Sequence, residues 1–221
     1  MNIFSKTSSL ICDKILVIVN LNSKRLKLKT AVWGSVMFLL ISCRDKKQII
    51  LTDVAKINAE ISKDSIYNEL DKQQEVFSEG ENFDSSFKKS SDVAYFFGEK
   101  IDLQKNHYAK LNNCRAYFFR KDTLSINIGI GNGFTSNGFI INYKNKHFYT
   151  QPFYSTDVVG LDDHESSYKI IYENLVLDKL NYEIGDSLYG NIEFKSIETD
   201  MDGKAIEHFG KGSFRTKVKK Y

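Results

Sequence analysis

The chain has 221 residues, 42% hydrophobic and 27% charged, a globular balance that excludes disordered and collagen-like classes. Phe and Tyr are abundant and Pro occurs once, at Pro152, which favours strands and leaves no Pro-rich stalk. The formal charge is +3, but residues 1–42 hold six Lys/Arg and one acid; without them 25 basic residues face 27 acidic ones, a net of −2, too little for the basic face that nucleic-acid binding needs.

The first organised stretch is a leader. Lys24, Arg25, Lys27 and Lys29 precede the apolar run Ala31 to Ile41, and Arg44-Asp45-Lys46-Lys47 closes it. The run is shorter than the roughly 20 residues a membrane span requires. Basic residues, then a short apolar run, then a small residue is the order of a secretory signal. The run ends in Leu40-Ile41-Ser42-Cys43. This tetrad resembles the lipobox of bacterial lipoproteins. The resemblance implies cleavage between Ser42 and Cys43, a diacylglyceryl group on the Cys43 thiol, and a palmitate-type chain on the new amine. It implies residence in the cell envelope, anchored to the membrane through these acyl chains. Arg44 rather than Asp follows the cysteine, which by the same resemblance favours the outer membrane, facing either the periplasm or the outside. Residues 1–22 fit a signal poorly, because Ile15 to Val19 is a second apolar run. A translation start near Leu21 or Leu26 would account for them.

Residues 43–91 read as a lipid-anchored tether with a helical stretch. Val54, Ile57, Ile61, Ile66, Leu70 and Phe77 recur at near-helical spacing. Thr52-Asp53 and Asp64-Ser65 are candidate N-caps. Ser78 to Ser91 is polar and aperiodic, a linker, so the folded domain is expected at residues 92–221.

From Asp92 the period becomes two. Strands are expected over 92–97, 115–120, 124–131, 139–144, 147–153, 168–177, 188–195 and 205–218. Asn145-Lys146 and Asp202-Gly203 supply tight turns, and Gly210 and Gly212 are expected bulges. The pattern predicts a mainly β domain, an antiparallel β-sandwich with a β-barrel as the alternative, preceded by the short helical or tether segment. The stretch Gly185 to Val218 is similar to the closing hairpins of uncharacterised β-domains in bacterial lipoproteins, and that resemblance implies no activity.

Few residues suggest chemistry. Cys114 is the one cysteine left in a processed chain and reads as a small buried hydrophobe; a nucleophile would need a base, and His107 is nearest in sequence. Glu198, Asp200, Asp202 and Gly203 imitate the first half of a calcium loop, but Phe209 stands where the twelfth-position carboxylate belongs, and an Asp-Gly hairpin explains the same residues. Asp157, Asp162, Asp163, His164 and Glu165 form an acidic loop. Asp162, His164, Asp200 and Asp202 are therefore weak metal candidates only, and no cofactor is expected. Gly129, Gly131 and Gly133 alternate without the helix that a phosphate loop needs. Tyr143, His147, Tyr149, Phe153 and Tyr154 cluster on one hairpin, as core rings or a stacking surface. Arg215, Lys217, Lys219 and Lys220 read as a solvated strand face, with anionic headgroups as the alternative partner.

No catalytic motif is present, so the expected function is a non-enzymatic binding or interaction module of the cell envelope, with a protein or small-molecule ligand. An immunity-type lipoprotein that binds a toxin fits the same features. An envelope hydrolase with its site in residues 155–166 is the alternative from another class.

Overall fold

A computed structural model describes residues 53–75, 88–98, 109–119, 122–131, 134–156, 167–200 and 202–220. The expected leader with Ser42 and Cys43, and the acidic loop with Asp162 and His164, lie outside the described residues, as does His107.

The described chain is mainly β. Two short strands open it, β1 (Asp53–Val54) and β2 (Lys56–Ile57), followed by a 3₁₀ turn (Ala59–Lys63) and a helix, α1 (Ser65–Asp71). Eight strands follow: β3 (Ala94–Gly98), β4 (Asn113–Phe119), β5 (Thr123–Gly131), β6 (Thr135–Lys144), β7 (His147–Thr156), β8 (Ser167–Leu177), β9 (Ser187–Thr199) and β10 (Ala205–Lys219). Alternation explains them. Ile126 and Ile128 in β5, and Phe139 and Ile141 in β6, are buried on one face, while Asn127 and Ile140 face outward. The β6–β7 turn places Asn145 and Lys146 at positive φ, the conformation that matches the twist of a two-residue hairpin.

The expected β-sandwich is the architecture. One sheet runs β1-β7-β6-β5-β4, the other carries β10-β9-β8-β2 with β3 also on β10, and β10 joins the two. The long ladders are antiparallel, as the alternating turns require. Two short contacts are parallel, β2 on β8 and the end of β10 on β4, so the whole sheet is mixed. Phe139, Phe148, Phe194, Phe214 and their aliphatic neighbours fill the space between the sheets.

The alternative of a closed barrel is not met, because no ladder joins β7 to β8. One five-residue stretch spans that seam instead. Asp53 and Val54 pair with β7, and Lys56 and Ile57 pair with β8. Between them Ala55 is buried and donates its N–H to Lys146 O at 2.8 Å. Residues 53–57 are therefore strand, not the start of a helix capped by Thr52-Asp53. Five residues with Val54 and Ile57 three apart look helical in sequence, but two open sheet edges recruit their backbone. The Asp64 cap is real: its side chain accepts from Ile66 N at the start of α1. Tyr67 in α1 donates to Gly190 O at 3.2 Å, so residues 53–75 belong to the same compact unit as the strands rather than to a tether.

Gly210 and Gly212 are not bulges. The β9–β10 register runs unbroken from Ala205 to Lys217, and the one irregularity lies between Ile170 and Tyr172 in β8. Gly210 faces Phe194, and Gly190 faces Phe214. A Cβ at Gly210 would lie 2.3 Å from the Phe194 ring, and one at Gly190 2.4 Å from the Phe214 ring. Each phenylalanine folds over the glycine opposite it, so the two pairs are reciprocal ring seats. Gly212 has φ +147, and a Cβ there would meet Asp92 O at 2.6 Å, so glycine admits the chain that crosses β10.

Beyond β1 the seam is closed by a side chain. Glu173 of β8 is buried, and its Oε2 accepts from Thr150 N of β7 at 2.9 Å. Burial pushes this carboxyl up to about 7 from its ordinary 4.5; the Asp53 carboxyl beside it adds to the rise, and the Thr150 N–H opposes it. Between those two values the folded chain holds the proton that the unfolded chain releases, so stability falls as pH rises through that window, by about 3 kcal/mol in full. Glu173→Gln removes this titration while keeping an acceptor for Thr150 N–H. Urea unfolding at pH 5 and pH 8 should show the variant gaining on the wild type by roughly 2–3 kcal/mol between the two conditions. An identical pH dependence in both proteins would contradict the assignment.

Candidate functional site

The interior of the sandwich changes character toward the β3 end. Along β9 the inward residues run Leu188, Gly190, Ile192, Phe194, then Ser196 and Glu198. On β10 the inward Gly210 is followed, toward the Asp202-Gly203 turn, by His208. The apolar core thus ends in polar side chains that must satisfy one another away from water.

Four strands supply the network. Tyr95 of β3 places its hydroxyl 2.9 Å from His208 Nδ1, and His208 Nε2 lies 2.8 Å from Glu198 Oε2. Tyr168 of β8 donates to the other carboxylate oxygen, Glu198 Oε1, at 3.1 Å. A carboxylate only accepts, so Nε2 carries the proton, Nδ1 is the acceptor, and Tyr95 donates to it. The imidazole is buried, and the Tyr95 and Phe97 rings, 6.1 Å from each other, lie near-parallel to it at 6.2 and 6.3 Å. Burial lowers its pKa from 6.5 against the opposing pull of Glu198, and burial raises the Tyr95 phenol well above its usual range. Both groups are neutral at pH 7, so the two rings orient one another without carrying charge. Ser196, the register partner of His208, is fully buried with no hydrogen-bond partner for its Oγ.

A cavity of about 280 Å³ adjoins this network, and Tyr95 and Phe97 form part of its wall. Leu111, Asn112, Gly129, Ile130 and Asn137 complete the apolar lining with Ala109. Asn112 fixes the chain before β4 by donating from Nδ2 to Val93 O at 2.8 Å and Ala109 O at 3.2 Å. Both partners are carbonyls, which sets the amide orientation. Among the described residues Oδ1 is then a buried acceptor without a partner, closed off from the cavity space. The arrangement is a small, mostly apolar seat with two amide residues in its lining.

Of the residues singled out from sequence, Glu198 and Gly129 fall in this region, and the others described lie elsewhere. Asp200 Oδ1 accepts from Asp202 N at 3.0 Å and Lys204 N at 2.8 Å, and Gly203 has φ +78, so this carboxylate is used by its own hairpin turn. No group of three His, Cys, Asp or Glu side chains converges among the described residues. Cys114 is wholly buried, and burial pushes its thiol far above the reactive range. Of the aromatic hairpin cluster, Tyr143 is buried and donates to Leu180 O at 2.7 Å, while His147 and Tyr154 are exposed. The network went unseen in sequence because Tyr95 and His208 are 113 residues apart. Half of it was readable: a hairpin centred on Asp202-Gly203 sets Glu198 opposite Ile206 and therefore diagonal to His208.

Comparison with protein-family models, with curated proteins and with solved structures finds no match to this chain. No helix among the described residues is long and apolar enough to cross a membrane.

Tyr95→Phe removes one hydroxyl and strands the buried Nδ1 of His208. Chemical unfolding should show a loss of about 1–3 kcal/mol, and ¹⁵N NMR of the wild type should show the Nε2–H tautomer at pH 7. An Nδ1–H tautomer would reverse the direction of the relay.

Proposed function

We propose that this protein is a non-enzymatic binding module of the cell envelope, held at the membrane by acyl chains on Cys43, whose ligand seat is the cavity between β3, β5 and β6. The leader and its Leu40-Ile41-Ser42-Cys43 end support the anchor. The observation that carries the binding role is the cavity itself, a space of about 280 Å³ lined mostly by apolar side chains.

The lining defines the ligand class. Tyr95, Phe97, Leu111 and Ile130 offer apolar contact, with the amide residues Asn112 and Asn137 beside them. A compact, mostly apolar ring molecule meets that lining. The Tyr95–His208–Glu198 chain holds two of the wall rings in place, which lowers the ordering cost of binding. His208 is buried with both ring nitrogens engaged by Tyr95 and Glu198, which suits a binding wall better than a hydrolytic centre that needs an accessible base.

Phenol is the minimal probe of this chemistry. Titrated into the detergent-solubilised protein, it should produce saturable amide shifts at Leu111, Asn112, Gly129 and Ile130. Leu111→Trp, which fills the space, should abolish them with the fold intact. Absence of saturable shifts, or shifts unchanged in the filled variant, would count against the cavity as the ligand seat.

A further inference from the structure

The opposite region of β10 carries a second feature that the cavity does not explain. An open groove of about 400 Å³ runs between the residues after α1, β4 and the last turns of β10. It exists because the end of β10 pairs with β4 through Val218 and Lys219, which sets Arg215 and Arg115 on neighbouring strands.

Both arginines are held by acids from the helical segment. Arg115 makes a two-pronged pair with Glu75 at 2.6 and 2.8 Å, and Arg215 donates to Asp71 at 2.7 Å. The Arg215 hydrogen bond holds the Asp71 carboxyl below its ordinary range. Ser90 donates to Glu75 at 2.7 Å and fixes it further. These two pairs cancel in charge and form a rigid base. Three lysines then remain on the rim, Lys88, Lys217 and Lys219, and none makes an ion pair among the described residues. Lys217 and Lys219 follow Arg215 at the outward positions of the strand, so the period of two aims all three the same way. Ser187, Tyr189 and Thr216 add hydroxyls to the same groove, and no hydrogen bond engages them through those groups among the described residues.

Five cations and two carboxylates leave a local charge of +3 in a domain that is otherwise near neutral. A groove that sums to three positive charges and offers hydroxyl donors selects a multiply charged anion over a single carboxylate. We propose that this groove binds a phosphate-bearing ligand, a pyrophosphate or phosphomonoester group, through Lys88, Lys217 and Lys219 seated on the fixed Arg115–Glu75 and Arg215–Asp71 pairs. The group can belong to a soluble molecule or to a lipid head, and the two share this chemistry.

Calorimetric titration of the detergent-solubilised full chain tests the site with inorganic pyrophosphate and, in parallel, with a short-chain phosphatidic acid below its micellar concentration. Saturable binding of either probe at low salt is expected, weakening as salt is added because the rim is solvent-screened. Lys217→Gln/Lys219→Gln should weaken that binding about tenfold or more while its unfolding midpoint stays at the wild-type value. Preference for pyrophosphate assigns a soluble source, and preference for the phosphatidic acid assigns a lipid one. Binding of neither probe, or binding that the double variant leaves unchanged, overturns the proposal. The phenol response of the cavity is read separately and does not depend on this result.

Discussion

Everything in this fold depends on one strand serving two sheets. β10 is 15 residues long and pairs along one side with β9 throughout. Its other side is covered in three pieces: β3 over Glu207 to Lys211, the chain at residues 90–92 over Ser213 to Arg215, and β4 at Val218 and Lys219. A strand edge left bare would expose its N–H and C=O groups to other chains, so the piecewise cover protects it. It also locates both sites. β3 carries Tyr95 onto His208, and β4 carries Arg115 beside Arg215. Gly212 is what lets the crossing happen, since a side chain there would strike Asp92 and Val93.

The remaining opening is handled differently. Between β7 and β8 the backbone of residues 53–57 closes one part and the Glu173 carboxyl closes another. A buried carboxyl is a costly clasp, and its raised pKa expresses that cost. His208 titrates in the opposite sense: burial lowers its pKa, so its contribution falls as pH drops below the ordinary 6.5. Both windows lie below pH 7, and the two groups act in opposite directions as pH falls through them. Fully packed aromatics in the middle, with polar clasps at the end and the seam, leave few places for a ligand. Among the described residues the small cavity and the charged groove are two places where side chains converge around space.

Much of this was legible from the chain alone, for a physical reason. Strands with one buried face must alternate, so Leu124 to Ile130 and Leu188 to Phe194 announced themselves, and Asn145-Lys146 and Asp202-Gly203 marked their turns. What failed was whatever depends on a distant partner. Gly210 looked like a bulge because sequence shows a glycine but not the Phe194 ring that occupies its missing side chain. Residues 53–57 looked helical because spacing carries no record of two open edges waiting on either side. That Asp71 and Glu75 neutralise Arg215 and Arg115 was also invisible, because these acids come from over a hundred and about forty residues away. Tyr95, His208 and Glu198 obey no motif spacing, as a network assembled from three strands has none.

The proposed membrane anchor rests on one residue, Cys43, through acyl groups on its sulfur and its amine. Mass spectrometry of the mature protein extracted from its own membranes tests that most directly. The account predicts a chain that begins at Cys43 and carries the added mass of a diacylglyceryl group, with Cys43→Ala leaving the leader uncut and the lipid mass absent. A mature chain that retains residues before Cys43, or that begins elsewhere without lipid, would contradict it.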